Sequence, residues 1–308
     1  MESLSDITMD DLPMLCSDRV NILDNVESVV DVDVIKGNEF FLTGITSTGP
    51  GYIVVSGRLS SDHSFITVIN RQGRQIRHDK IDAGSFSYPI RYCAALSRDK
   101  IASVCTFNQV VVYNIHDGSF TQNNITSLFD DIKTVGKKYA RYITTDPIRG
   151  HIIVGTSIGS LFIFDEELKF IRALKLPEVI KWSRDIIYHE GVLLICDKES
   201  RCAYAVTMDT SKTEAELLYK LPKPDIDGKT WYPWSICADR AGFVYILWDS
   251  AGKRIITQYS QDGQQLLTTK WAEDTAWCMT TLMTEEGEKL LVATSWSGKI
   301  LCYGLTPE

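Results

Sequence analysis

Seven residues carry the recognition chemistry that stands out in this chain: Arg91, Arg141, Trp182, Arg184, Trp231, Trp234 and Trp277. An arginine presents a planar fork of donors matched to carboxylate or phosphate oxygens. A tryptophan offers a flat face for stacking and cation–π contact, and both residue types are enriched at binding hot spots. Such a set suits an acidic or phosphorylated peptide, a carboxylate-bearing small molecule or an unpaired base. The seven are dispersed along the chain, so they act together only if the fold gathers them.

The sequence contains a repeat that would gather them. Six segments share one form, a short apolar strand, a polar turn and a second strand, as in HIIVGTSIGSLFIFDE and KLLVATSWSGKILCYG. They alternate in polarity and favour Val, Ile, Thr and Tyr, which marks them as β-hairpins. The residues closing the second strands are Ile69, Tyr113, Phe164, Val206, Tyr259 and Tyr303, spaced 42 to 53 residues apart. That spacing is the size of a four-stranded propeller blade. Upstream of each hairpin lies a further apolar strand, beginning near Phe40, Ile90, Arg141, Arg184, Trp234 and Trp277. Six inner strands predict an all-β fold, a six-bladed β-propeller of four-stranded antiparallel blades.

The sixth unit lacks an outer strand before the chain reaches Glu308, while the strand-like run from Ser28 to Lys36 has no blade of its own. Pairing that run with the last blade would close the ring and remove an exposed edge. The expected division is an acidic N-terminal arm over 1–27 and the propeller over 28–308.

The fifth unit, from Tyr232 to Leu266, resembles an NHL repeat. Pro233, Asp239, Gly242, Tyr245, Asp249, Arg254, Ile255 and the pair Asp262 and Gly263 fall on that pattern, and Ser235 stands where the family has Gly. The second unit keeps Pro89 and the pair Asp117 and Gly118, and the third keeps Asp146 and Gly150. NHL propellers commonly form the partner-binding domain at the C-terminus of TRIM-type ubiquitin ligases, where they bind proteins or RNA. The resemblance implies a binding module. It does not imply a ligase, because RING and B-box spacings are absent.

In such a ring the residues opening the inner strands cluster at one mouth of the central channel. Aligning Ile45, Ile143, Ile186, Ile236 and Met279 puts Thr43, Arg141, Arg184, Trp234 and Trp277 in equivalent slots, with Ile90 or Arg91 in the second blade. Tyr88, Lys138, Tyr139, Trp182, Asp185, Trp231 and Tyr232 lie close by in sequence. Aromatics in these slots can also plug the channel, with arginine satisfied by backbone carbonyls or by Asp185, so plug and recognition surface both stand at this point.

The chain has 308 residues, 44% hydrophobic and 23% charged, with a formal net charge of −8. The summed field repels polyanions, which ranks single-stranded RNA third among ligands. The acidic start and the lack of a long apolar run point to a cytoplasmic protein without a membrane span. The eight cysteines form no CxxC pair and sit mostly in apolar runs, as buried thiols do.

A propeller enzyme of the lactonase, hydrolase or lyase kind is the alternative. Calcium-dependent members need carboxylate and amide ligands at the axis, whereas the slots here carry Arg, Trp, Ile and Thr. The five histidines, His63, His78, His116, His151 and His189, fall in turns or strand ends of different blades. No P-loop, GxSxG or HExxH motif is present. The sequence therefore assigns no catalytic residue, no metal and no cofactor, and expects a protein or peptide partner, acidic or phosphorylated, or a small anion.

Overall fold

The computed structural model describes residues 20–31, 41–49, 51–58, 63–82, 90–105, 108–130, 138–209, 212–285, 287–295 and 297–307. Alternating β-branched runs fold into six antiparallel sheets of four strands each. The first blade comprises β2 (Phe41–Thr48), β3 (Tyr52–Arg58), β4 (His63–Asn70) and β5 (Gln75–Asp82). The second holds β6 (Ile90–Ala95), β7 (Lys100–Cys105), β8 (Gln109–Asn114) and β9 (Phe120–Asn124). The third is β10 (Ala140–Asp146), β11 (His151–Thr156), β12 (Ser160–Phe164) and β13 (Phe170–Lys175). The fourth is β14 (Ser183–His189), β15 (Val192–Asp197), β16 (Cys202–Thr207) and β17 (Leu217–Lys220), and the fifth is β18 (Tyr232–Ala238), β19 (Val244–Ser250), β20 (Lys253–Tyr259) and β21 (Leu266–Ala272).

The sixth blade completes the ring with strands from both ends of the chain. Its first three strands from the axis are β22 (Ala276–Thr284), β23 (Gly287–Thr294) and β24 (Lys299–Pro307), and its outer strand is β1 (Val20–Asp31), antiparallel to β24 with Val29 opposite Leu301. The closing strand thus begins at Val20, upstream of Ser28, and residues 32–36 of the expected run lie outside the described residues. The six inner strands β2, β6, β10, β14, β18 and β22 pack each against the next, and β22 meets β2. This is a six-bladed β-propeller.

Six separate apolar cores fill the spaces between neighbouring blades. Ile53, Val55 and Phe65 of the first blade meet Leu291, Ala293 and Ile300 of the last, and Trp248 and Tyr259 of the fifth meet Leu194 and Cys196 of the fourth. A fully buried Val, Leu, Ile or Phe among them contributes roughly 1.5–3 kcal/mol. Side-chain hydroxyls tie the inner strands together around the axis. Thr46 Oγ1 accepts from Ala95 N–H at 3.1 Å, Thr144 Oγ1 from Tyr188 N–H at 3.0 Å, and Ser47 Oγ donates to Thr281 O at 2.5 Å. Two turns noted in the sequence share one geometry: Gly118 and Gly263 have φ of 75° and 67°, and the Asp before each accepts from the N–H two residues on. Positive φ is where glycine carries no Cβ penalty.

Candidate functional site

One irregularity recurs in all six blades. Where the inner strand pairs with its neighbour, the register skips one residue near the start, and the skipped residues are Thr43, Arg91, Arg141, Arg184, Trp234 and Trp277. A β-bulge leaves one residue out of the ladder and re-aims its side chain. The slots aligned by sequence are therefore six bulges at one level of the ring, and in the second blade the slot is held by Arg91, not Ile90. The Arg91 side chain and Tyr88 lie outside the described residues.

Beside these bulges lies a cavity of about 440 Å³ lined by Phe41, Thr43, Arg58, Tyr92, Tyr139, Arg141, Tyr142, Trp182, Arg184 and Trp277. Six of these are aromatic, three are arginines, and none of the described lining residues is acidic. Thr43 is turned into the ladder by a bond from its Oγ1 to Ser56 O at 3.3 Å.

The rings hold the guanidinium groups by their faces. Arg184 Cζ lies 3.0 Å from the Trp234 ring centroid and 5.8 Å from that of Trp277. Arg141 Cζ lies 4.1 Å from the Trp182 ring and 4.7 Å from Tyr139. Trp277 is packed edge-on by Phe41 at 4.7 Å and by Trp234 at 4.8 Å. Trp182, 46% exposed, is fixed through its backbone: its N–H donates to Asp197 Oδ1 at 2.6 Å, and the Lys181 N–H reaches Oδ2 at 3.2 Å.

The carboxylates acting on Arg184, those of Asp249 and Asp185, lie outside the cavity lining. Burial pulls the Arg184 pKa below the ordinary guanidinium value, while Tyr92, Tyr142, Asp249 and Asp185 act in the opposite sense. For Arg141 burial pulls down as well, but donation to the Tyr142 hydroxyl at 3.3 Å and to the Tyr139 hydroxyl makes the net shift upward. Nε of Arg141 and Nε of Arg184 are buried with no hydrogen-bond partner among the described residues. A buried donor left unpaired costs about 1–3 kcal/mol.

Below the bulges, facing the channel, is Asp185. Its Oδ2 accepts from Ser235 Oγ at 2.8 Å and Ile236 N–H at 3.0 Å, and its Oδ1 accepts from Ile186 N–H at 3.0 Å. Burial raises this carboxyl to about 6, partly offset by those three bonds and by Arg184. Asp239 and Asp146 serve as turn caps: Asp239 accepts from Phe243 N–H at 2.9 Å and Tyr245 Oη at 2.8 Å, and Asp146 accepts from Arg149 Nη1 at 2.8 Å.

The expected residues do not all share the cavity. Arg141, Trp182, Arg184 and Trp277 line it, and Trp234 stands behind, supporting Arg184. Trp231 lies elsewhere, 3% exposed in the core between the fourth and fifth blades, with Nε1 donating to Ile226 O at 3.3 Å. It precedes the bulge of β18 and turns into the inter-blade space instead of towards the axis. Five contributors were not anticipated at the site. Phe41 and Tyr92 line the cavity beside their bulges, Arg58 ends β3 in a polar stretch, Tyr142 follows the Arg141 bulge, and Arg254 lies 4.2 Å from the Trp234 ring centroid while ion-paired with Asp249 at 2.7 Å. Arg254 was visible as part of the repeat pattern, but nothing in its spacing shows that it braces a tryptophan.

Among the described residues no group of three or more His, Cys, Asp or Glu is placed to hold a metal ion, and no helix is long and apolar enough to cross a membrane. No protein-family model matches the chain, and no curated protein sequence matches it. Solved structures do. The β-propeller domain of Myceliophteria thermophila Cps50 (Swd1) is 14% identical with a TM-score of 0.60, covering 86% of this chain and 84% of that one. Streptogramin B lyase is 11% identical with a TM-score of 0.57, covering 91% and 97%. A structural-genomics protein of unknown function from Bacteroides thetaiotaomicron is 13% identical with a TM-score of 0.61, covering 90% and 72%. At these identities the likeness is one of fold: the chain shares the β-propeller architecture.

Proposed function

We propose that the protein is a non-catalytic binding propeller that takes an anionic group of a protein or peptide partner into its arginine- and aromatic-lined mouth. The observation that carries this reading is the cavity itself: three arginines without an acidic residue among the described lining, two of them, Arg141 and Arg184, oriented by ring faces. The NHL-like pattern of the fifth blade supports a partner-binding role of the kind those propellers have. The seven described cysteines, all free and buried, suit a reducing, cytoplasmic setting.

The test is calorimetric titration of peptide pools rich in acidic or phosphorylated residues, beside pools in which those residues are amides or unmodified hydroxyls. Wild-type protein should bind the anionic pools alone, more weakly as salt rises, and Arg184→Gln should lose that binding. Equal binding of neutral pools, or full binding by the variant, would show that the mouth is not the site.

A further inference from the structure

We infer that the group accepted at the mouth is a phosphate monoester on a partner's side chain, not a carboxylate. This rests on the binding reading above and narrows it.

The number of donors carries the argument. Arg58 comes from the first blade, Arg141 from the third and Arg184 from the fourth, so guanidinium side chains from three blades line one cavity. A carboxylate has two oxygens and is matched by a single bidentate fork. The three terminal oxygens of a phosphate monoester spread around the bond to the ester oxygen and accept from every side.

Charge points the same way. Three arginines face no described acid in the lining. One carboxylate would offset a single cation, whereas a monoester carries about −1.5 to −2 at pH 7. A phosphodiester, as in RNA, has two terminal oxygens and one charge, and leaves more of the cavity uncompensated.

Hydrogen-bonding capacity completes it. The faces of Arg141 and Arg184 are taken by Trp182, Tyr139 and Trp234, and the two Nη atoms of Arg141 each donate to a tyrosine hydroxyl, of Tyr142 and of Tyr139. Each Nη carries two N–H groups, so a second donor on each is left for a phosphate oxygen, and stacking fixes the plane of the fork, which lowers the ordering cost on binding.

The experiment titrates the full chain with four probes. These are a degenerate peptide library centred on phosphoserine, phosphothreonine or phosphotyrosine, the same library with a central Glu, free O-phosphoserine, and a single-stranded oligoribonucleotide. The phosphopeptide library should bind at least about tenfold tighter than the Glu library, and Arg58→Gln and Arg141→Gln should each weaken it by about tenfold or more. Arg58 is exposed, so its variant keeps the fold even if Arg141→Gln does not, and thermal unfolding of both separates the two effects. Glu peptides binding as tightly as phosphopeptides would overturn the monoester inference and leave the anion-binding reading standing. O-phosphoserine binding as tightly as the peptides would overturn the peptide source, and preferential RNA binding would overturn the monoester. If no anionic probe binds, the binding reading falls as well.

Discussion

Ser235 Oγ donates to Asp185 Oδ2 at 2.8 Å, joining the fifth blade to the fourth, and the same oxygen accepts from the Met279 N–H of the sixth blade at 3.2 Å. One hydroxyl thus bridges three blades, at the position where the NHL pattern has glycine. Ser235→Gly should therefore destabilise the protein by about 1–3 kcal/mol, because it strips a buried carboxylate of one donor and a backbone amide of its acceptor. Chemical denaturation of the two proteins checks this, and an unchanged midpoint would mean the bridge contributes nothing.

The protonation of Asp185 gives stability a pH dependence. Burial lifts its carboxyl from 3.8 to about 6 in the folded protein. Between those values the folded state holds a proton that the unfolded chain has released. The stabilisation from that proton is complete below pH 3.8 and is lost as pH rises through 6. Relative to Asp185→Asn, which has no such proton, the wild type should lose roughly 1–3 kcal/mol between pH 4 and 7. Paired denaturation curves across that range cancel the other titrating groups, and a flat difference would contradict the assignment.

Two tryptophans should separate stability from binding. Trp231→Ala removes a ring from the core between two blades and should cost about 3–5 kcal/mol. Trp182→Ala, at an exposed rim position, should change stability by less than about 1 kcal/mol and weaken anion binding by about fivefold, through loss of the ring beneath Arg141. Thermal melts and titrations of the pair read both quantities.

Trp234 packs against both Arg184 and Arg254, whose Cζ atoms lie 3.0 Å and 4.2 Å from its ring centroid. It does not line the cavity. Trp234→Leu should nonetheless weaken anion binding by about tenfold, since Arg184 loses the plane that orients it, whereas Trp234→Phe should restore most of the affinity. Affinity unchanged in the leucine variant would show that Arg184 holds its position without the ring.

Closure of the ring depends on β1. A chain starting at residue 32 exposes the β24 edge along its whole length. It should associate or aggregate and melt at a lower temperature, and light scattering with calorimetry would reveal whether it stays monomeric.

Much of this was legible in the sequence because a propeller repeats its hydrophobic period in every blade. The inner strands starting near Ile90, Arg141 and Arg184 appear as β6, β10 and β14, and the missing outer strand of the last blade is supplied from the start of the chain. The site was legible only in outline. Aligning Ile143 with Ile236 found the slots of Arg141 and Trp234, but the bulge that makes them slots is a one-residue slip in pairing and leaves no trace in apolar alternation. Trp231 shows the limit: composition alone cannot tell a tryptophan turned to the axis from one turned between blades. Arg58 was missed because it closes a second strand, and only the curvature of the ring brings that strand end to the mouth.

The six bulges have a further consequence. A residue outside the ladder can change type without disturbing the pairing that holds its blade, and each blade contributes one such position at the same height. Four of the six, Thr43, Arg141, Arg184 and Trp277, line the cavity among the described residues. Selectivity can therefore be retuned at such positions one blade at a time, while the ladder around each stays paired.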